Sequence, residues 1–227
     1  MQAEMLNNCM LFSGLDESVL GAIVAKMKPL SLTRGSVLMM QADAPDGCYL
    51  IIEGTLKIST MSSEGEETVL AVLGTGEVVG EIGLIDGDPR SATVTALKDC
   101  SLSFLSTSEF IALADKNPKI YRHMLAIIAE RLRNSNATLG VYQKLPVSGR
   151  LAHILLRLSE GFGEELDGGR VIIRHKFTQE DIGLMAGTAR ENVSRQLNLW
   201  RKENTISKIS RYYCIEDADK LRSLTNN

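Results

Sequence analysis

The sequence predicts an α+β chain in three parts: a compact antiparallel β-barrel or roll, one long helix, and a helix-turn-helix flanked by a β-hairpin. Three observations carry this reading. Short apolar or alternating runs between Leu30 and Leu105 are punctuated by glycines, which is how an antiparallel roll is written. Residues 119–145 keep a helical period without interruption. Phe177–Glu203 holds two short amphipathic helices around Ala186-Gly187, with residues of strand character after them.

A chain of 227 residues accommodates one large domain or two small ones, and 44% apolar with 23% charged residues is ordinary for a globular protein. No run approaches the roughly 18 apolar residues of a membrane span. The start, MQAEMLNNCMLF, lacks the basic n-region and apolar core of a signal peptide, so a cytoplasmic location without membrane partners is expected. Cys9, Cys48, Cys100 and Cys214 are scattered, and with His123, His153 and His175 they form no metal-ligand spacing, so no metal site is expected. The net charge of −3 hides an asymmetry. Residues 1–145 carry 12 Lys+Arg against 17 Asp+Glu, whereas 170–211 carry 9 against 4, a basic patch suited to nucleic acid or simply a solvated face.

Asp16 is placed to cap a helix over Glu17–Met27, which Pro29 stops. The runs SVLMM, CYLIIEG, TLKIST, TVLAVL, SATVTAL and SLSFLS read as strands, with SSEGEE as a hairpin turn. Between them lies GEIGLIDGDPRSATV, residues 80–94. Gly80 admits close backbone approach, Glu81 can accept from a sugar hydroxyl, and Arg90 can fork onto a phosphate. Ser91 and nearby N–H groups can complete an anion-binding concavity. The alternative is an exposed turn with an ordinary Arg–Glu pair.

Ser108 begins a helical region that Pro118 restarts. Leu125, Ile128, Leu132, Ser135, Leu139 and Tyr142 then step by 3, 4, 3, 4, 3, a heptad seam. Such a seam suits pairing with an identical helix or packing on its own domain. Leu145-Pro146-Val147-Ser148-Gly149 reads as a hinge, after which Arg150–Glu160 resumes a helix and Asp167-Gly168-Gly169 turns a strand pair.

Thr178 with Asp181 forms a capping box for a first helix over Gln179–Met185. Ile182, Met185, Val193 and Leu197 pack it against a second helix that starts after Thr188. Arg190, Glu191, Ser194 and Arg195 then share the outward face, as entry into a DNA major groove requires. Arginine can take guanine O6 and N7 together, and glutamate can accept from cytosine N4. Thr178 and Gln179 sit where the first helix meets phosphates, and Lys208 and Arg211 would do so from a hairpin wing. A packed helical hairpin with a charged surface is the alternative.

Together, from about Leu11 to Ile215, these motifs closely resemble the Crp–Fnr family of bacterial transcription regulators. The resemblance rests on GEIGLIDGDPRSATV, RLRNSNATLGVYQKL, PVSGRLA and TQEDIGLMAGTARENVSRQL in that order. It implies a cyclic-nucleotide-binding domain of double-stranded β-helix (jelly-roll) form over 1–118, a dimerisation helix over 119–145 and a winged helix-turn-helix DNA-binding domain over 146–227. It implies that Gly80 and Glu81 lie at the ribose with Ile82 also in the binding site, Arg90 and Ser91 at the phosphate, and Arg131 beside Glu81. Ser135 and Asn136 fall where members that bind cyclic AMP touch adenine, and Asn136 departs from the serine of the bacterial prototype. Ala42 replaces a glycine common in the roll, a minor departure. Arg190, Glu191 and Arg195 match a triad for a TGTGA-like half-site, while Ser194 gives the arrangement that reads TTGAT-like sites. The implied protein is a homodimer on a palindromic operator, working with RNA polymerase, not an enzyme and without a catalytic cofactor. Cyclic AMP is the expected effector. The alternatives are cyclic GMP, cyclic di-GMP, a redox signal through Cys48 and Cys100, another small molecule, or constitutive DNA binding.

Overall fold

The computed structural model describes residue 6 and residues 9–65 and 67–225. The side chain of Tyr142, assigned above to the heptad seam, and Glu66 of the SSEGEE turn lie outside the described residues. The chain forms two compact units that divide between Asn134 and Ser135, with the short stretch Glu67–Val69 grouped with the second.

The first unit opens with helix α1 (Glu17–Lys26), one residue shorter than expected. Asp16 stands at its N-cap, but its side chain makes no capping bond. Pro29 falls inside the following strand rather than ending the helix, because Met27 has already turned to extended backbone. Strands β1 (Lys28–Leu32), β8 (Cys100–Ser106), β3 (Gly47–Glu53) and β6 (Val78–Val79) form one antiparallel sheet in that order. Strands β2 (Val37–Met39), β7 (Thr93–Ala96), β4 (Leu56–Met61) and β5 (Glu67–Leu73) form the second. Two four-stranded sheets, whose neighbours apart from β4 and β5 are non-sequential, make the expected double-stranded roll.

One core, built of Met39, Ile51, Leu56, Val94 and Leu102 among others, fills the roll. A second core beside it is closed by helices. Helix α3 (Thr107–Lys116) begins one residue earlier than expected, because Ser106 caps it by accepting from the Glu109 N–H. Helix α4 (Lys119–Lys144) runs 26 residues, and its Ile120, Met124 and Ile127 are buried in that second core.

The second unit contains helix α5 (Val147–Phe162), strands β9 (Gly163–Leu166) and β10 (Arg170–Ile173), helices α6 (Gln179–Ala186) and α7 (Arg190–Lys202), strands β11 (Ile206–Ile209) and β12 (Tyr212–Ile215), and helix α8 (Ala218–Ser223). The expected hinge narrows to Leu145-Pro146, since Val147, Ser148 and Gly149 are already helical. Gly149 serves packing: a Cβ there would stand 2.7 Å from the Leu224 carbonyl oxygen. Trp200 is buried in this unit with Leu151, Leu155 and Leu197.

Candidate effector site and nucleic-acid interface

Within the GEIGLIDGDPRS stretch, Glu81–Asp86 form a six-residue helix, α2, entered through Gly80. Gly80 adopts left-handed backbone at φ +83°, and a Cβ on it would lie 2.7 Å from Arg90 Nη1. Both the turn and the close approach therefore require glycine. Arg90 is buried, and three of the five N–H groups of its guanidinium are held by the protein. Nη1 donates to the Gly80 carbonyl at 2.7 Å, and Nη2 donates to the Gly47 carbonyl at 2.8 Å and to Asp46 Oδ1 at 2.5 Å. The Arg90 main chain is also held, its N–H bonding the Asp43 carbonyl and its carbonyl accepting from the Ala42 N–H, each at 2.8 Å. A buried guanidinium is tolerable only when paired and hydrogen-bonded, and these contacts supply both.

Glu81 is 1% exposed and does not pair with Arg90. Its carboxylate accepts from Arg131 Nη1 of α4, whose Nη2 donates to the Val78 carbonyl at 2.5 Å. The pair fixes the Gly80–Glu81 corner against α4. Ser91 and Ile82 are exposed beside it. Ser135 and Asn136 follow Arg131 along α4, and both are exposed.

Sequence reasoning missed Asp46 and Tyr49, because nothing local marks a carboxylate 44 residues from its arginine. All four cysteines are buried and free. Burial first, and the Glu81 charge next, push the Cys48 thiol up to about 12. Desolvation also raises Cys9, to about 11, and Cys100. These thiols stay protonated and unreactive near neutral pH, which disfavours the redox alternative.

In the second unit, Thr178 and Asp181 make the expected capping box, and Gly187 closes α6 in left-handed backbone. The Thr178 hydroxyl both donates to Asp181 Oδ2 and accepts from the Asp181 N–H, so it is committed to shaping the helix start. Gln179 is half-buried. Ile182, Met185, Val193 and Leu197 are buried between α6 and α7. Arg190, Glu191 and Arg195 are exposed on the first turns of α7, while Ser194 is half-buried at the edge of that face. Asn192 Nδ2 donates to Thr188 Oγ1 at 3.0 Å, tying the turn to α7.

Strands β11 and β12 form the wing, turning through Ser210 at φ +57°. Lys208 is exposed, with its ammonium 4.6 Å from the centre of the cross-strand Tyr213 ring. That cation–π contact holds the charge on the wing. Among the described residues, no helix is long and apolar enough to cross a membrane, and no cluster of His, Cys, Asp and Glu could hold a metal ion.

A double-stranded β-roll with a buried arginine under a Gly-Glu corner, followed by a long helix and a winged helix-turn-helix, defines the architecture of an effector-controlled DNA-binding regulator. Comparison with known proteins agrees. Residues 29–117 match the cyclic nucleotide-binding domain, and residues 149–224 match the Crp-like helix-turn-helix domain. The cAMP-activated global transcriptional regulator CRP of Escherichia coli O6:H1 is 33% identical over 76% of this chain and 81% of its own. The CRP-like cAMP-activated global transcriptional regulator of Mycobacterium tuberculosis is 28% identical over 96% of this chain and 97% of its own. The structure of FixK2 from Bradyrhizobium japonicum superposes with a TM-score of 0.79 at 19% identity, over 88% of this chain and 98% of that one. The chain belongs to the Crp–Fnr family of transcription regulators.

Proposed function

We propose that this protein is a cytoplasmic homodimeric regulator that cyclic AMP switches onto a palindromic operator, where it acts with RNA polymerase and catalyses no reaction itself. The observation that carries the effector reading is the Arg90 guanidinium, held under the Gly80–Glu81 corner in a domain of cyclic nucleotide-binding type. In this reading Arg90 and Ser91 take the phosphate, Gly80, Glu81 and Ile82 take the ribose, and Ser135 and Asn136 take the base. Arg131 orients Glu81 through their ion pair. The choice of cyclic AMP leans on the two relatives named as cAMP-activated. Asn136 is the reason to weigh cyclic GMP and cyclic di-GMP beside it, since an amide offers two N–H donors and a separate carbonyl acceptor where a hydroxyl offers one donor and accepts through the same oxygen.

Dimerisation is supported by Leu125, Leu132 and Leu139, spaced by seven on α4 and 64%, 60% and 58% exposed. In the dimer two α7 helices would enter major grooves about 34 Å apart, one DNA turn. Arg190, Glu191 and Arg195 would read base edges. Thr178, Gln179 and Lys208 would hold the phosphate backbone, with the Thr178 contact made through the helix start its hydroxyl shapes. An effector moves such a protein only by its difference in affinity for two arrangements.

Calorimetric titration with cyclic AMP, cyclic GMP and cyclic di-GMP, side by side, tests the reading. Cyclic AMP is expected to bind most tightly, and Arg90→Ala to lose at least about a hundredfold in affinity, as loss of a charge-assisted phosphate contact implies. Unchanged affinity in Arg90→Ala, or silence toward every cyclic nucleotide, would refute it.

A further inference from the structure

The Arg90 guanidinium is not waiting bare for a phosphate. It already holds an anion, and that anion belongs to the chain. The Arg90 side chain is 3% exposed while Asp46, its ion-pair partner, is 60% exposed. One hydrogen of Nη1 goes to the Gly80 carbonyl and one of Nη2 to the Gly47 carbonyl, and the exposed Asp46 carboxylate takes the second hydrogen of Nη2.

Asp46 is not a loose surface carboxylate. Its second oxygen, Oδ2, accepts from the Tyr49 hydroxyl at 3.2 Å, and its carbonyl accepts from the Thr107 N–H at 3.1 Å. The Tyr49 ring is itself held against Phe104, with centroids 4.9 Å apart. Burial and the facing Asp46 charge push the Tyr49 phenol up to about 12, so it stays a hydrogen-bond donor at neutral pH. The carboxylate is therefore held at both oxygens, Oδ1 by Arg90 and Oδ2 by Tyr49.

We propose that Asp46 is a built-in counter-anion that the effector's phosphate must displace from Arg90, and that it sets the threshold of effector affinity. The proposal rests on the reading of Arg90 as the phosphate contact. Two anions cannot share Nη2 without repelling each other at hydrogen-bond distance. With Asp46 in place the guanidinium is neutralised, so a free anion lacking the contacts of a sugar and base gains little by exchanging with it. A cyclic nucleotide has those further contacts at the Gly80–Glu81 corner and can make the exchange. Asp46 thus holds off inorganic phosphate while leaving the nucleotide site responsive.

The test is calorimetric titration of wild type, Asp46→Asn and Tyr49→Phe with cyclic AMP and, separately, with inorganic phosphate. Asn keeps an acceptor oxygen for Arg90 and removes the charge. The expected result is cyclic AMP binding about tenfold tighter in Asp46→Asn, in the range that loss of one close like charge allows. A smaller tightening is expected in Tyr49→Phe, and measurable phosphate binding only in Asp46→Asn. The free Asp46→Asn protein should also melt below the wild type, since the ion pair belongs to the effector-free state; a merely structural role would lower melting without tightening binding. Equal or weaker cyclic AMP binding by Asp46→Asn, with the wild type binding normally, overturns the proposal alone. If no protein of the set binds a cyclic nucleotide, the effector reading falls and takes this proposal with it.

Discussion

Ala42 shows how one residue tunes the site. Its φ is +71°, a left-handed conformation in which an L side chain is strained by about 1–2 kcal/mol. The strain is held by its neighbours. The Ala42 N–H donates to the Arg90 carbonyl at 2.8 Å, and Met40 N–H donates to Asp43 Oδ2 at 2.8 Å. Ala42→Gly is expected to raise stability by about 0.5–1 kcal/mol, seen as a higher melting temperature by calorimetry. An unchanged or lower melting temperature would show that the turn tolerates its Cβ without strain. In the sequence the same alanine looked like a minor departure, because the demand for positive φ comes from tertiary bonds to Arg90. Gly80, Glu81 and Arg90 were legible, since their residue types and order point to an anion and a sugar. The Asp46–Arg90 pair was not, because the roll alone brings those segments together. Arg131 beside Glu81 entered only through the family resemblance, and the ion pair supplies its physical reason.

Helix α4 carries two apolar faces of different fate. Ile120, Met124 and Ile127 are spent inside the first unit, while Leu125, Leu132 and Leu139 are exposed. The heptad pattern in the sequence allowed packing on its own domain or pairing with a copy, and the exposed leucines favour pairing. Ile128, placed in the same seam, packs partly against the first unit's second core. Burying one leucine contributes about 1.5–3 kcal/mol, and a two-fold seam buries each twice. Leu132→Lys is therefore expected to weaken self-association at least about a hundredfold. Sedimentation at micromolar concentration should then show a dimer for the wild type and a monomer for the variant. A variant that sediments as the wild type would place the dimer contact elsewhere. Long periodic elements and the capping box of α6 were readable because their signals are local. Helix α2 was not, since six residues between two glycines carry too few periods to distinguish a turn from a helix. Gly149 looked like a hinge for a similar reason: the sequence shows the missing Cβ but not the Leu224 carbonyl that fills its place.

At the scale of the whole molecule the proposed control is one of linkage. If the effector raises affinity for DNA, DNA must raise affinity for the effector by the same factor. The sequence carries the features from which both halves of that linkage are proposed, an acidic stretch over 1–145 with the Gly80–Ser91 motif and a basic helix-turn-helix, because charge asymmetry and motif order survive without coordinates. What joins them energetically is a difference between two arrangements, and no residue pattern states such a difference. The most direct measurement is binding of a labelled palindrome of two TGTGA-type half-sites, one DNA turn apart, at fixed salt, with and without saturating cyclic AMP. It should be made on the wild type and on Arg90→Ala. Cyclic AMP is expected to tighten wild-type binding at least about tenfold, within the usual range of allosteric coupling, and to leave Arg90→Ala unmoved. Equal operator affinity with and without the nucleotide, in a wild type that binds the DNA well, would contradict it.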